Sequence, residues 1–243
     1  MSSKDVDESS TRVDDSASLD DLRRPLLLIF DVNETLSDMS PMGERFEDVG
    51  APAHLAAAWF AGLLRDGFAL TAVDSSDSFA CIAAESLLVD LHGLPLNRGA
   101  AEAVSYIMDG FAELPVHGDV PNGIRALGGL GIRMVTLSNG SASVAEALLE
   151  RAGIRAYFER LLTVEDAGRW KPAPEAYAYA LHQGGVDARD AMLVAVHPWD
   201  IDGASRAGLA SAWVNRDGRP YPAYFRGPDI RAASSSDLAE QLR

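Results

Sequence analysis

Three things are scarce in this 243-residue chain: cysteine, basic charge and long apolar runs. The single cysteine, Cys81, leaves no partner for an intrachain disulfide. No apolar run reaches the roughly 18 residues that a membrane-spanning helix needs. Lys and Arg number 21 against 36 Asp and Glu, which gives a formal net charge of -15. Because nucleic acids and anionic membranes are bound through basic side chains, this balance predicts neither as a partner.

The N-terminus also lacks the features of a targeting segment. Its first residues, MSSKDVDESSTRVDDSASLDD, are acidic and rich in serine, with no apolar stretch. This composition predicts no signal peptide and a disordered tail over residues 1–24. Together with the single cysteine it predicts a cytoplasmic protein. Cys81 lies in the apolar segment FACIAAESLL, and we expect it to pack in a helical core rather than to act as a nucleophile.

What the chain does contain is an alternation of strands and helices. Residues 26–31 read as a short buried strand, and from residue 117 onward short apolar strands alternate with helices up to a last strand, LASAWVN. This predicts an α/β fold with a Rossmann-like parallel sheet and helices on both faces. A helical stretch over residues 40–116 interrupts the alternation, and we interpret it as an inserted cap. The core would then comprise residues 25–39 and 117–243.

Polar side chains follow several of these predicted strands. Asp31 ends the first strand, Ser138 and Asn139 follow MVTL, and His197 to Asp200 follow MLVAV, while Lys171 begins a helix. Ligands of open α/β sheets bind at the carboxyl ends of the strands, so these groups are expected to converge. Taken singly, each has an ordinary structural reading as a turn residue, a helix cap or a surface lysine.

The motifs DVNETL, LSNG, KPAPEAY and AVHPWD resemble, in order, those of the haloacid dehalogenase superfamily, and most closely its 2-haloacid dehalogenase branch. Tyr177 stands six residues after Lys171, and Trp199 precedes Asp200, as in that branch. Several positions depart from its pattern. Asn33 and Glu34 stand where the branch has Tyr-Gly, Ala195 and His197 replace a Ser and an Asn, and the expected cap arginine falls on Ala51.

The resemblance implies hydrolysis of short 2-haloacids, of the (S)-2-haloacid dehalogenase type, without metal or cofactor. Asp31 would attack the halogen-bearing carbon and form an ester, which water then hydrolyses. The implied catalytic residues are Asp31, Thr35, Lys171, His197 and Asp200, with Asp200 taking the proton from water and His197 helping. The implied substrate-binding residues are Asn33, Trp59, Ser138, Asn139, Tyr177 and Trp199.

Two other functions stay open at the sequence level. A magnesium-dependent small-molecule phosphatase is one, although Asn33 and Val196 stand where acidic residues of that branch would be. A catalytically inactive binding protein on the same scaffold is the other. The sequence also leaves open whether the chain forms a homodimer, and whether Trp59 belongs to the cap core or the substrate wall. Candidate substitutes for the missing cap arginine are Arg45, His54 and Arg65, whereas His92, His117 and His182 are interpreted as structural or solvated.

Overall fold

The computed structural model describes residues 24–243. The predicted disordered tail lies outside these residues except for Arg24, whose guanidinium donates a hydrogen bond to the backbone oxygen of Leu130. Within the described part, no helix combines the length and apolar character needed to cross a bilayer.

A six-stranded sheet, in the order β3-β2-β1-β4-β5-β6, forms the centre of the fold. Every neighbouring pair of strands is parallel. The strands are β1 (Leu27–Phe30), β2 (Arg133–Ser138), β3 (Arg160–Thr163), β4 (Ala191–Ala195), β5 (Ala210–Val214) and β6 (Ile230–Ala232). The helices are α1 (Met42–Glu47), α2 (Leu55–Ala72), α3 (Phe79–Asp90), α4 (Ala100–Ala112), α5 (Val120–Gly129), α6 (Ala142–Arg151), α7 (Val164–Ala167), α8 (Pro174–Gly184), α9 (Pro198–Arg206) and α10 (Ser235–Gln241).

Both faces of the sheet are covered by helices. Along the fully buried β1, Leu27 and Ile29 join the apolar cluster that includes α8 and α9, while Leu28 and Phe30 join the cluster that includes α5, α6 and α10. This alternation explains why the strand is apolar at every position, since a parallel strand between two helical layers has no solvated face. The predicted α/β class is confirmed.

Helices α1–α4, here called the helical insertion, lie between β1 and α5 in the chain. The chain leaves and returns as two adjacent segments, joined by a bridge between Ser37 and Val116 and by a 2.8 Å hydrogen bond from the Asp38 amide to the Pro115 oxygen. Two tryptophans outside the insertion contact its helices. The ring of Trp170 stacks on Phe79 at 6.0 Å, and the ring of Trp199 meets Phe68 edge-on at 4.9 Å.

Three sequence predictions about local structure are wrong. LASAWVN forms β5, but a further strand and helix, β6 and α10, follow it. The segment IDGASRAG predicts a helix that begins after Asp200, but α9 begins at Pro198, so Asp200 lies in its first turn. Cys81 is exposed rather than buried. Helix α3 is apolar around its circumference, and it buries Phe79, Ile82, Ala83 and Leu87 instead.

Candidate active site

Asp31 lies just beyond the end of β1, at the carboxyl edge of the sheet. Its Oδ1 accepts a 2.9 Å hydrogen bond from the Lys171 ammonium, and its Oδ2 accepts a 2.7 Å bond from the Thr35 hydroxyl. The Thr35 oxygen in turn accepts a 3.1 Å bond from the Val196 amide, just after β4. Only 4% of Asp31 is exposed. The predicted pairing of Asp31 with Thr35 and Lys171 is therefore present in the geometry.

Lys171 and Asp200 are fully buried together behind Asp31. The Lys171 ammonium lies 2.6 Å from Asp200 Oδ2, and the Tyr177 hydroxyl donates a 2.6 Å bond to Asp200 Oδ1. Both oxygens of Asp200 are thus occupied, and no part of the residue is exposed to water. This position does not support its predicted role as proton acceptor. Tyr177 is also fully buried, so it supports Asp200 rather than facing a substrate.

The charges of this cluster are set by burial and by mutual contact. Burial raises the pKa of Asp31, but Lys171 and then His197 reverse that effect and hold it well below its usual range. Burial lowers the pKa of Lys171, and the carboxylates of Asp200 and Asp31 outweigh it, so the net shift is upward. Burial raises the pKa of Asp200, and Lys171 offsets this only in part. Asp31 is therefore an ionised carboxylate held against an ammonium group.

His197 contacts Asp31 on the side away from Lys171. Its Nδ1 lies 3.2 Å from Asp31 Oδ2, and its Nε2 lies 2.7 Å from the carboxylate of Glu34. The imidazole stacks on the ring of Trp199 at a centroid distance of 5.0 Å. Burial lowers the pKa of His197, but the hydrogen bonds with Asp31 and Glu34 raise it to about 9. Before reaction, His197 is consequently a second cation beside Asp31.

Ser138, the last residue of β2, and Asn139, which follows it, have different contacts. The Asn139 side chain accepts a 3.0 Å bond from the Lys171 amide and donates a 3.3 Å bond to the Lys171 oxygen, so it fixes the backbone of that lysine. Ser138 and Asn33 instead line a small cavity of about 70 Å³. The rest of its wall is mainly apolar and includes Phe79 and Phe111 of the helical insertion.

A second, wider space borders the cluster at Glu34 and His197. This cleft has a volume of about 600 Å³ and is reached by both Glu34 and His197. Its other polar residues include Asp38, His117, Arg216 and Asp217. The small cavity and the wide cleft share no lining residue, so Asn33 and Glu34, although adjacent in sequence, face different spaces.

Other predicted substrate contacts lie away from the small cavity. Trp59 is fully buried in the helical insertion, where its indole N–H donates to the Ala83 oxygen at 3.1 Å, so it has no surface to offer a substrate. Trp199 stacks on His197, and its ring centroid lies 5.8 Å from the Lys171 ammonium.

The candidate substitutes for a cap arginine are also placed elsewhere. Arg45 forms an ion pair with Glu113 at 2.9 Å, Arg65 pairs with Asp66 at the surface, and His54 precedes α2. None of the three lines the small cavity.

Glu34 is the residue of this site to which the sequence motifs give no role. It is also one of two non-glycine residues with positive φ in the described chain, at 60°. The available signal was a pair of departures from the family pattern. Glu34 replaces a glycine in the first motif, and His197 replaces an asparagine in the last. A carboxylate and an imidazole can form a hydrogen bond with each other.

Comparison with known proteins agrees with this geometry. The family model described as haloacid dehalogenase-like hydrolase matches residues 26–208. The (S)-2-haloacid dehalogenase of Pseudomonas sp. (strain YL) is 26% identical over 215 residues, which cover 88% of this chain and 92% of that protein. The pyrimidine 5'-nucleotidase YjjG of Escherichia coli (strain K12) is 36% identical over a shorter segment of 103 residues, covering 42% of this chain and 44% of that protein.

A solved structure extends the similarity to the whole fold. The crystal structure of a dehalogenase with an intermediate complex matches with a TM-score of 0.81 at 25% identity, covering 88% of this chain and 96% of that one. The family model spans most of the chain, and the parallel sheet brings the four motifs together at its carboxyl edge. The chain therefore belongs to the haloacid dehalogenase-like hydrolase family.

Proposed function

We propose that the protein is a hydrolytic dehalogenase of short 2-haloacids and that Asp31 is its nucleophile. The observation that carries this proposal is the ionised Asp31 carboxylate at the tip of β1, fixed by Lys171 at 2.9 Å and by Thr35 at 2.7 Å. A buried carboxylate held in one orientation is a suitable nucleophile for displacement at carbon. The similarity to an (S)-2-haloacid dehalogenase over most of both chains supports the same chemistry.

In the first step, an oxygen of Asp31 attacks the carbon that bears the halogen. A carbon–oxygen bond forms, the carbon–halogen bond breaks, and the halide leaves with the bonding electrons. A halide needs no proton when it leaves. The absence of an acid at Asn33, which lies two residues after Asp31, is compatible with this reaction. A phosphate ester, in contrast, leaves an alkoxide that must be protonated.

In the second step, water adds to Cγ of the Asp31 ester and releases a 2-hydroxy acid. Negative charge then develops on the Asp31 oxygens. The Lys171 ammonium is already in place to stabilise that charge, and its contacts with Asp200 and Asn139 keep it there. Preorganisation of this kind lowers the barrier because no group has to reorient during the reaction.

The small cavity suits a substrate with a short carbon chain. At about 70 Å³, it is well below the range of about 300–1,000 Å³ that is typical of pockets for drug-sized ligands. We assign the substrate carboxylate to the Ser138 and Asn33 side and the substituent of the 2-carbon to the apolar wall. The helical insertion supplies Phe79 and Phe111 to that wall, and in this proposal it acts as the cap domain over a core of residues 25–39 and 117–243.

The reaction is proposed to need no metal. The Lys171 ammonium lies between the carboxylates of Asp31 and Asp200, at 2.9 Å and 2.6 Å, where it serves as their counter-charge. In residues 24–243, no cluster of three or more His, Cys, Asp and Glu side chains has the arrangement of a metal site. Mg²⁺ prefers several hard oxygen ligands, and Asn33 supplies an amide in place of an acid.

The test measures halide release from chloroacetate and from racemic 2-chloropropionate in the presence of EDTA. The isosteric Asp31→Asn variant is the matched control, because Asp200 can still neutralise Lys171 and preserve the fold. We expect release by the wild type and none by the variant. Absence of halide release by the wild type, together with magnesium-dependent phosphate release from a phosphate ester, would overturn the proposal in favour of a phosphatase.

A further inference from the structure

Glu34, His197 and Asp31 form a continuous chain of hydrogen-bonded groups. The Glu34 carboxylate lies 2.7 Å from Nε2 of His197, whose Nδ1 lies 3.2 Å from Asp31 Oδ2. Stacking on Trp199 restrains the plane of the imidazole. A carboxylate that orients an imidazole, which in turn faces the reacting group, is an arrangement that proteins use for general-base catalysis.

The backbone of Glu34 indicates that its side chain has a specific task. Its φ of 60° lies in the left-handed region, which residues with a Cβ rarely adopt. The turn is held there by a 3.1 Å bond from the Glu34 amide to the Ser37 hydroxyl and by a 3.0 Å contact between His117 Nε2 and the Glu34 oxygen. A glycine would adopt this conformation without strain, so a side chain at this position is best explained by what its carboxylate contacts.

His197 also has access to water, which Asp200 lacks. The side chain of His197 is 12% exposed and that of Glu34 is 41% exposed, and both line the wide cleft. Asp200 has no exposed surface, and both its oxygens are bound by Lys171 and Tyr177. A group that takes a proton from water must reach that water, and His197 meets this requirement.

We propose that Glu34 and His197 form the general-base dyad of the hydrolytic step, activating water from the wide cleft against the ester on Asp31. This inference rests on the dehalogenase function proposed above and extends it. In this arrangement the substrate occupies the small cavity beside Asn33 and Ser138, and water comes from the wide cleft, which shares no lining residue with that cavity.

His197 can act as a base only after ester formation has removed the negative charge of Asp31. While Asp31 is ionised, it holds His197 as an imidazolium. Ester formation removes that negative charge, so the pKa of His197 falls and its Nδ1 proton can leave through the cleft. The other charged groups near His197 are Glu34, which continues to favour the cation, and Lys171, which lies beyond Asp31 and opposes it. Asp38, His117, Arg216 and Asp217 line the same cleft.

The protons balance across the hydrolytic step. Nδ1 of neutral His197 accepts a proton from water as the water oxygen bonds to Asp31 Cγ, and the resulting oxyanion is held by Lys171. The tetrahedral intermediate then collapses, the bond from Cγ to the substrate oxygen breaks, and His197 returns its proton to the departing alkoxide. The Asp31 carboxyl group loses its own proton to His197 and becomes the nucleophile again.

The test separates halide release from hydroxy-acid release. We would mix Glu34→Gln and His197→Asn with chloroacetate, follow both products rapidly, and measure the intact mass of the protein. We expect a burst of about one halide per enzyme, a covalent adduct on Asp31, and hydrolysis slowed by about 100-fold or more, the range typical of a lost general base. Glu34→Gly, which tolerates positive φ, keeps the test valid if the glutamine variant does not fold.

The matched control is Asp217→Asn. It removes a carboxylate from the same cleft, but Asp217 pairs with Arg219 rather than with His197, so both product rates should equal those of the wild type. The pH profile gives a second readout. Loss of the Glu34 charge should lower the pKa of His197 in the ester form, and the residual hydrolysis of Glu34→Gln should therefore reach its plateau at lower pH than in the wild type.

The outcomes distinguish the dyad from the function on which it rests. Variants that release halide and hydroxy acid in step, at the wild-type rate and without an adduct, would overturn the dyad and leave the dehalogenase function intact. A wild-type protein that forms no adduct and releases no halide would overturn both. Accumulation of the adduct in the Glu34 and His197 variants, but not in Asp217→Asn, would establish the dyad.

Discussion

Lys171 has no exposed surface, and its ammonium is shared between the carboxylates of Asp31 and Asp200. Charges buried this deeply are costly to isolate, because each has lost its hydration and depends on its partners. In the proposed reaction, the same lysine keeps Asp31 ionised and faces the oxyanion of the hydrolytic step. Asn139 contacts the backbone of Lys171 and Tyr177 contacts Asp200, so both side chains support this buried ion pair.

We expect Lys171→Met to destabilise the fold by about 3–5 kcal/mol, the usual cost of leaving a buried charge without its partner. Asp31 would keep His197 as a counter-ion, but Asp200 would be left buried without one and would have to take up a proton. Urea unfolding at pH 7 measures the loss. The double variant Lys171→Met/Asp200→Asn is the control, and it should recover part of the stability because only one buried carboxylate remains. Equal stability of the single and double variants would contradict this account.

At the level of elements, the position of the helical insertion depends on α2 and its contact with Trp170. Gly67 of α2 lies against that indole, and a Cβ added there would come within 2.4 Å of two ring carbons. Gly62, one and a half turns earlier on the same helix, has only the flexible end of Arg65 within reach, at 3.8 Å. Alanine substitutions at these two glycines therefore separate the effect of packing against Trp170 from the effect of intrinsic helix propensity.

Gly67→Ala should lower the free energy of unfolding by about 1–3 kcal/mol, the typical cost of overpacking, despite the better helix propensity of alanine. It should also slow dehalogenation, because the insertion supplies Phe79 and Phe111 to the small cavity. Gly62→Ala on the same helix should instead stabilise by about 0.5–1 kcal/mol. Thermal unfolding and halide release of the two variants provide the measurement. Equal effects at both positions would show that α2 is not constrained by Trp170.

The parts of the site that the sequence could predict are those fixed by topology. Parallel strands bring their carboxyl ends to one edge, so Asp31, Ser138 and the residues after β4 had to lie near one another. Side-chain direction was not predictable in the same way. Asn139 turns to the Lys171 backbone and Tyr177 to Asp200, because these contacts depend on how α8 and α9 pack.

Periodicity alone was insufficient for two other elements. An evenly apolar helix such as α3 has no distinct buried face in the sequence, and this is why Cys81 was assigned to the core. The strand β6 has only three residues, too few to establish an alternating pattern.

On the scale of the whole molecule, the net charge of the chain is strongly negative, whereas two positively charged side chains lie beside Asp31. The formal net charge is -15, yet the proposed nucleophile, Asp31, is flanked by the Lys171 ammonium and the imidazolium of His197. A substrate with one carboxylate would meet repulsion at the surface and would find two cations beside Asp31 in the interior. The field near Asp31 is therefore set by these two cations together with the carboxylates of Asp200 and Glu34 that pair with them, and it does not follow from the composition.

This local charge should make the stability of the whole fold depend on pH. His197 has a pKa of about 9 in the folded protein, above the value near 6.5 of an unperturbed histidine. The native state consequently binds the proton more tightly than the unfolded state. The stabilisation is fully present below about pH 6.5 and is lost as the pH rises through 9. A shift of this size is worth about 3 kcal/mol, since each pKa unit corresponds to about 1.4 kcal/mol.

Urea unfolding of the wild type and of His197→Asn at pH 6, 7.5 and 9.5 tests this pH dependence of stability. The wild type should lose stability over that range relative to the variant, and Glu34→Gln should lose less than the wild type because its folded-state pKa is lower. If the free energy of unfolding changed with pH in the same way for the wild type and His197→Asn, His197 would be neutral in the resting protein. The proposed loss of the His197 proton on ester formation would then not take place.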